Sequence, residues 1–189
     1  WQVAFAPRFR YTDEIVRDLL IVEKARGAVD VLPLPMDVDL RLRQRARIRS
    51  THHSTKIEGN KIAETAVPSV IAIPTRQTTQ EQEVRNYWRA LEWMERQLEG
   101  TTRITQDLIR ELHQIIIPAP GRKKKGDYRR QSVGVIKSET RDYEYMAPNW
   151  EEVPGLMAEL VKWVESAGAA KLPAPIRAAI LAYRFVTIH

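Results

Sequence analysis

Along most of this chain, apolar residues recur at spacings of three and four, the signature of helices that bury one face. Thr12 or Asp13 suits the N-cap of a first helix, with Ile15, Leu19 and Val22 on one face, Val16 and Leu20 on the adjoining one, and Gly27 near its end. Thr78-Thr79-Gln80-Glu81 fits a capping box, in which a threonine and a glutamate three residues apart satisfy each other's backbone amides. Behind it Val84, Tyr87, Leu91, Met94 and Leu98 form the clearest apolar stripe, closed by Gly100; Trp88 and Trp93 flank it as packing residues. Thr105 caps a helix that turns Leu108, Ile109, Leu112 and Ile116 inward until Pro118 forbids continuation. A further helix is expected from Asn149 or Trp150, burying Val153, Leu156, Met157, Leu160, Val161 and Val164 and stopping near Gly168. After Pro173-Ala174-Pro175 the last stretch is apolar almost all round, which predicts a helix at the centre of a helical domain.

Three segments break this pattern. In residues 38–49, Leu40, Leu42, Ala46 and Ile48 alternate with Arg41, Arg43, Arg45, Arg47 and Arg49, a strand-like period. The near absence of β-branched and aromatic residues argues for helix instead, which would spread the arginines around a cylinder. Residues 61–77 hold two prolines and no clear period, and predict an irregular connector with one short helix. Residues 132–137 and 142–146 carry valine, isoleucine and tyrosine on either side of a polar turn at 138–141, which predicts a small β-hairpin. Such a ribbon is marginal alone and must lean on helices, and a free edge can accept an extended peptide. Pro33-Leu34-Pro35 reads as a connection, and residues 121–126 as a solvated basic loop.

Composition narrows the class further. A chain of 189 residues that is 43% hydrophobic can bury a real core and is neither disordered nor fibrous. No apolar run approaches the roughly 18 residues of a membrane span, and residue 1 opens no signal segment, so a soluble cytoplasmic protein without membrane contact is expected. The lack of cysteine excludes disulfides and thiolate zinc sites. The net charge of +6 permits contact with phosphates or acidic proteins, and a basic helical DNA-binding regulator stays open on the basic residues of 41–49 and of Arg122 to Lys125. His52, His53 and His113 have no partner set for a metal.

One short stretch is electrostatically unusual. In Ser54-Thr55-Lys56-Ile57-Glu58-Gly59-Asn60, good helix formers lead into a Gly-Asn stop, so Glu58 sits at the negative end of a helix dipole. An anion there costs a few tenths to about 1 kcal/mol.

These seven residues match the inhibitory motif [ST]-x-x-x-E-[GN] of Fic-family proteins whose inhibitory helix precedes the catalytic core. The resemblance continues through Glu83-Val84-Arg85-Asn86-Tyr87, residues 104–113, Gly126-Asp127-Tyr128-Arg129, the hairpin and Ile176-Arg177-Ala178-Ala179. It ends at Thr187-Ile188-His189, where the family continues H-P-F-x-[DE]-G-N-G-R. The resemblance implies a mainly α fold, a Fic-like helical bundle with a small β-hairpin flap. It divides the chain into an N-terminal helical region over 1–77, with the inhibitory helix at about 50–60, and a Fic core over 78–189 cut short at its motif, the two expected to form one structural unit. It implies AMP transfer from ATP to a hydroxyl side chain of a target protein, with Mg2+ bound by an acid beyond residue 189 and no metal ligand within the chain. His189 would be the base. Ser54, Glu58, Gly59 and Asn60 would form the inhibitory motif, Glu58 pairing with the family motif's last arginine so that ATP sits unproductively. Ser132, Val133, Gly134, Val135 and Ile136 would dock the target by strand addition. Since most of the motif lies outside these residues, the chain as given is expected to be inactive. A non-catalytic binding or regulatory module is the alternative. Self-association, removal of AMP, and DNA binding through a further C-terminal domain stay open.

Overall fold

The computed structural model of the protein describes residues 5–73, 78–98, 103–117, 126–136 and 143–188. In chain order these form α1 (Asp13–Val31), α2 (Met36–Ile57), a 3-10 turn (Glu64–Ala66), α3 (Val67–Ala72), α4 (Thr79–Leu98), α5 (Gln106–Ile116), β1 (Gly134–Ile136), β2 (Tyr143–Met146), α6 (Val153–Val164), α7 (Ala167–Ala170) and α8 (Ala174–Ile188). The fold is thus mainly helical with one antiparallel two-stranded ribbon, β1 against β2. The chain condenses into two compact units that interleave in sequence: Trp1–Asp30 with Arg103–Gln106 and Asp127–His189, and Val31–Thr102 with Asp107–Gly126.

In the second of these units, α2 and α3 pack on α4. The arginine-rich segment is helical, and its charges explain why. Arg41 and Arg43 bond Asp37 and Asp39 one turn earlier, each at 2.8 Å, pairs that exist only at helical spacing. Arg47 lies over the Trp88 ring, 5.0 Å from its centroid, and pairs with Glu92 and Glu95 on α4. Thr51, Thr55, Val67, Val84 and Ala90 are buried. Both threonines return their hydroxyls to backbone carbonyls, at Arg47 and at Thr51, so neither buries an unsatisfied group. The connector carries the expected short helix, preceded by a 3-10 turn.

The capping box at the head of α4 forms: the Thr78 amide and hydroxyl donate to the Glu81 carboxylate, while the Glu81 amide donates to Thr78 Oγ1 at 3.3 Å. Those donors hold the Glu81 carboxyl below its ordinary pKa.

In the first unit, α6 turns Val153, Met157, Leu160 and Val164 inward, and α8 packs against it with Ile188 fully buried. Each side chain of this size, once buried, stabilises by about 1.5–3 kcal/mol. Phe5 meets Trp163 edge-on, and Arg184 lies over the Phe5 ring.

Several boundaries differ from the sequence expectations. α1 runs through Gly27 to Val31: a single glycine costs a helix only about 1 kcal/mol, whereas Pro33 stops it. Val22 and Leu20 on that helix are exposed, and only Ile15 and Leu19 are half-buried. α6 begins at Val153, because residues 149–152 form turns, and it stops at Val164, leaving Gly168 inside α7. α8 is not the most buried helix: Tyr183 is 73% and Val186 71% exposed. Gly100, Pro118, residues 121–125, the hairpin turn and His189 lie outside the described residues.

Candidate functional site

Two regions carry the residues singled out by sequence. The first is the end of α2. Glu58 is its C-cap, and Gly59 follows at φ +90°, a conformation that costs glycine nothing. The amide of Asn60 donates to the Thr55 carbonyl at 3.1 Å and that of Gly59 to Lys56 at 3.0 Å, the paired bonds of a Schellman motif. The left-handed glycine swings the chain back, so Asn60 is buried (5% exposed) while Glu58 remains at the surface. Asn60 then ties the helix end to α4. Its amide nitrogen donates to the Gln80 carbonyl and to Glu83 Oε2, both at 2.9 Å, and its Oδ1 accepts from the Ile62 amide at 3.0 Å. Ser54, one turn earlier, donates to the Tyr87 hydroxyl at 2.8 Å. Glu58 makes no side-chain hydrogen bond or ion pair among the described residues.

The run 83–87 on α4 organises this region in a way its sequence conceals. Glu83 receives Asn60, Val84 is buried, and Tyr87 receives Ser54. Arg85 donates to the Val70 and Ile73 carbonyls at the end of α3, and Asn86 to the Ile116 carbonyl at the end of α5, at 3.1 Å. Two helix C-termini are therefore capped from one turn of α4.

The second region is the ribbon and the end of α8. Gly134 pairs with Met146, Val135 with Tyr145 and Ile136 with Tyr143, with a bulge between Val135 and Ile136. The Ala147 amide extends the ladder to the Val133 carbonyl at 3.1 Å. Residues 132–136 are all exposed. Two side chains join this ribbon to the helix. Tyr145 donates its hydroxyl to the Thr187 carbonyl. Arg129 spreads its guanidinium over the carbonyls of Gln131 (2.8 Å), Pro148 and Ile188 (3.2 Å). A cation on the last carbonyl of a helix also favours the dipole there, by about 0.3–1 kcal/mol. The alternation that flags the strands says nothing of Tyr145 as a donor. Arg129 was visible only as part of Gly126-Asp127-Tyr128-Arg129.

The other members of that run also have defined surroundings. Gly126 has φ +80°, and an added Cβ would lie 2.5 Å from Gln114 Nε2 and 2.8 Å from the Arg110 carbonyl. Tyr128 donates to Gln106 Oε1 at 2.6 Å.

Among the described residues no cluster of three His, Asp or Glu side chains could hold a metal ion, and no helix is long and apolar enough to cross a membrane. Of the α2 arginines, Arg41, Arg43 and Arg47 face carboxylates.

Residues 103–189 match the family described as Fic/DOC. A Fic family protein from Desulfovibrio desulfuricans G20 superposes on 98% of this chain and 54% of its own, at 25% identity and a TM-score of 0.71. A Fic domain containing signaling protein from Bacteroides thetaiotaomicron VPI-5482 superposes on 92% of this chain and 65% of its own, at 22% identity and a TM-score of 0.75, a likeness of fold. The chain thus spans 54% and 65% of the lengths of these two proteins.

Proposed function

We propose, from the premise that residues 103–189 are a Fic/DOC family domain, that the protein transfers AMP from ATP to a hydroxyl side chain of a target protein, and that the end of α2 restrains this activity. The family match carries the transferase reading. In such a reaction the target hydroxyl oxygen bonds to the α-phosphorus as its bond to the bridging oxygen breaks, and pyrophosphate leaves. The hydroxyl proton needs a base, the role we assign to His189. The exposed ribbon at 132–136 suits an extended target segment, since a strand edge offers backbone donors and acceptors to any sequence.

The restraint rests on the geometry of Glu58. Glu58 lies at the surface on a helix end pinned by Ser54 and Asn60, and its carboxylate is not engaged by its own neighbours among the described residues. An exposed, unengaged anion on a pinned helix end is suited to occupy an arginine that would otherwise grip a phosphate.

Transfer of labelled AMP by full-length protein tests both parts. Glu58→Gly is expected to raise the rate at least tenfold. A rate equal to the parent's would sink the restraint, and no transfer by either protein would sink the transferase reading.

A further inference from the structure

The last turn of α2 hangs from α4 at two points. Ser54 donates to the Tyr87 hydroxyl at 2.8 Å, and past the helix end Asn60 donates to the Gln80 carbonyl and to Glu83 Oε2, both at 2.9 Å. Between these points Thr55 is buried but spends its hydroxyl on carbonyls of its own helix. Lys56, Ile57, Glu58 and Gly59 are all exposed, Ile57 at 83%. The α4 side of the joint is tied down more widely. Arg85 donates to the Val70 and Ile73 carbonyls at the end of α3, Asn86 to the Ile116 carbonyl of α5, and Gln82 to Asn86 Oδ1 at 2.8 Å. Displacing that turn of α4 would strip backbone acceptors on two other helices, whereas releasing the end of α2 breaks side-chain bonds that water can replace.

We propose that Tyr87 and Glu83 are positioning residues for the restraint: they set how often the end of α2 is docked on α4, and only the docked end presents Glu58 to the arginine it would occupy. Neither residue bonds Glu58, so both act through the backbone of the helix end. The restraint is then a docking equilibrium, and loss of one tie raises activity, the opposite of ordinary damage to an enzyme. This role rests on the restraint proposed above. The two ties to α4 do not.

The test uses Tyr87→Phe, which keeps the ring and removes the acceptor of Ser54, and Asn60→Asp, which keeps the size and the acceptor for the Ile62 amide but sets a carboxylate against Glu83. In the full-length protein, amides 58–60 are expected to exchange at least about threefold faster in either variant, with exchange in α6 unchanged. In AMP transfer, kcat is expected to rise on the order of 3- to 10-fold in each, the share of docking that one hydrogen bond supplies. Adding Glu83→Gln to Asn60→Asp gives the aspartate a donor and is expected to return the rate toward the parent's. In the Glu58→Gly background, Tyr87→Phe is expected to add no further rise, because two changes on one route do not add. Unchanged exchange at 58–60 overturns the ties. Faster exchange with transfer unchanged or slowed overturns the positioning role, as does an equal rise in the Glu58→Gly background, and a failed return with Glu83→Gln overturns the part given to Glu83. A Glu58→Gly protein no faster than its parent overturns the restraint and this role with it, and leaves the ties to be judged by exchange alone.

Discussion

Among the described residues, Gly59 and Gly126 hold left-handed backbone, and their surroundings separate conformational from steric cost. Gly59 at φ +90° has open space where a Cβ would be, so Gly59→Ala meets only the intrinsic penalty of left-handed backbone, about 1–2 kcal/mol. Gly126 at φ +80° would in addition drive a Cβ against the Arg110 carbonyl, a backbone atom that cannot step aside. Gly126→Ala is therefore expected to destabilise by about 3 kcal/mol or more, and clearly beyond Gly59→Ala, in denaturant melts of the two variants. Equal losses would mean that the loop at Gly126 relaxes. Asn60 shows the same dependence on context. In the sequence it is half of a Gly-Asn stop, yet its amide nitrogen joins α2 to α4 while its oxygen accepts from the Ile62 amide in the connector.

At the scale of elements, helix ends decide where things are. α4 begins with a reciprocal cap and, a turn or so later, caps α3 and α5 through Arg85 and Asn86. The cap gives α4 a pH dependence with a definite sign. The Glu81 carboxyl is depressed by its bonds from Thr78, so the charged form contributes stability that is fully present above the ordinary glutamate value of 4.5 and is lost as pH falls through the depressed folded value. The stability difference between the parent and Glu81→Gln is expected to be constant near neutrality and to shrink below pH 4.5 in acid denaturation curves. A difference that grew on acidification would contradict the cap. The start of α4 was legible because a capping box is local: donor and acceptor lie three residues apart. The partners of Arg85 and Asn86 were not, because they sit 12 to 30 residues away on other helices.

Across the whole molecule, each unit has a core of its own. That of the first unit rests on α6, where Met157 and Leu160 are both 1% exposed or less. Leu160→Ala is expected to cost about 2–5 kcal/mol by chemical denaturation, from lost transfer energy plus the cavity left behind. A loss below 1 kcal/mol would mean that the core collapses around the gap. The inward face of α6 was readable from its spacing, since a period near 3.6 reports burial directly. The same logic failed for α8. Its apolar residues surround the helix, but α6 covers only part of that surface, and Tyr183 and Val186 face outward.

The chain's own residues thus determined the helical class, the cap of α4 and the stop at Gly59-Asn60, because each rests on interactions within a few positions of backbone, and the ribbon, because valine, isoleucine and tyrosine flank a polar turn. They also singled out Glu58 as a charge at an unfavourable helix end. Tertiary structure decided the rest. It set Arg47 of the helix over residues 38–49 against α4, and drew Asn60 inside while leaving Glu58 outside. It also gave Arg129 and Tyr145 the end of α8. Those outcomes depend on which carbonyls and carboxylates distant segments bring within about 3 Å, a distance that no local pattern encodes.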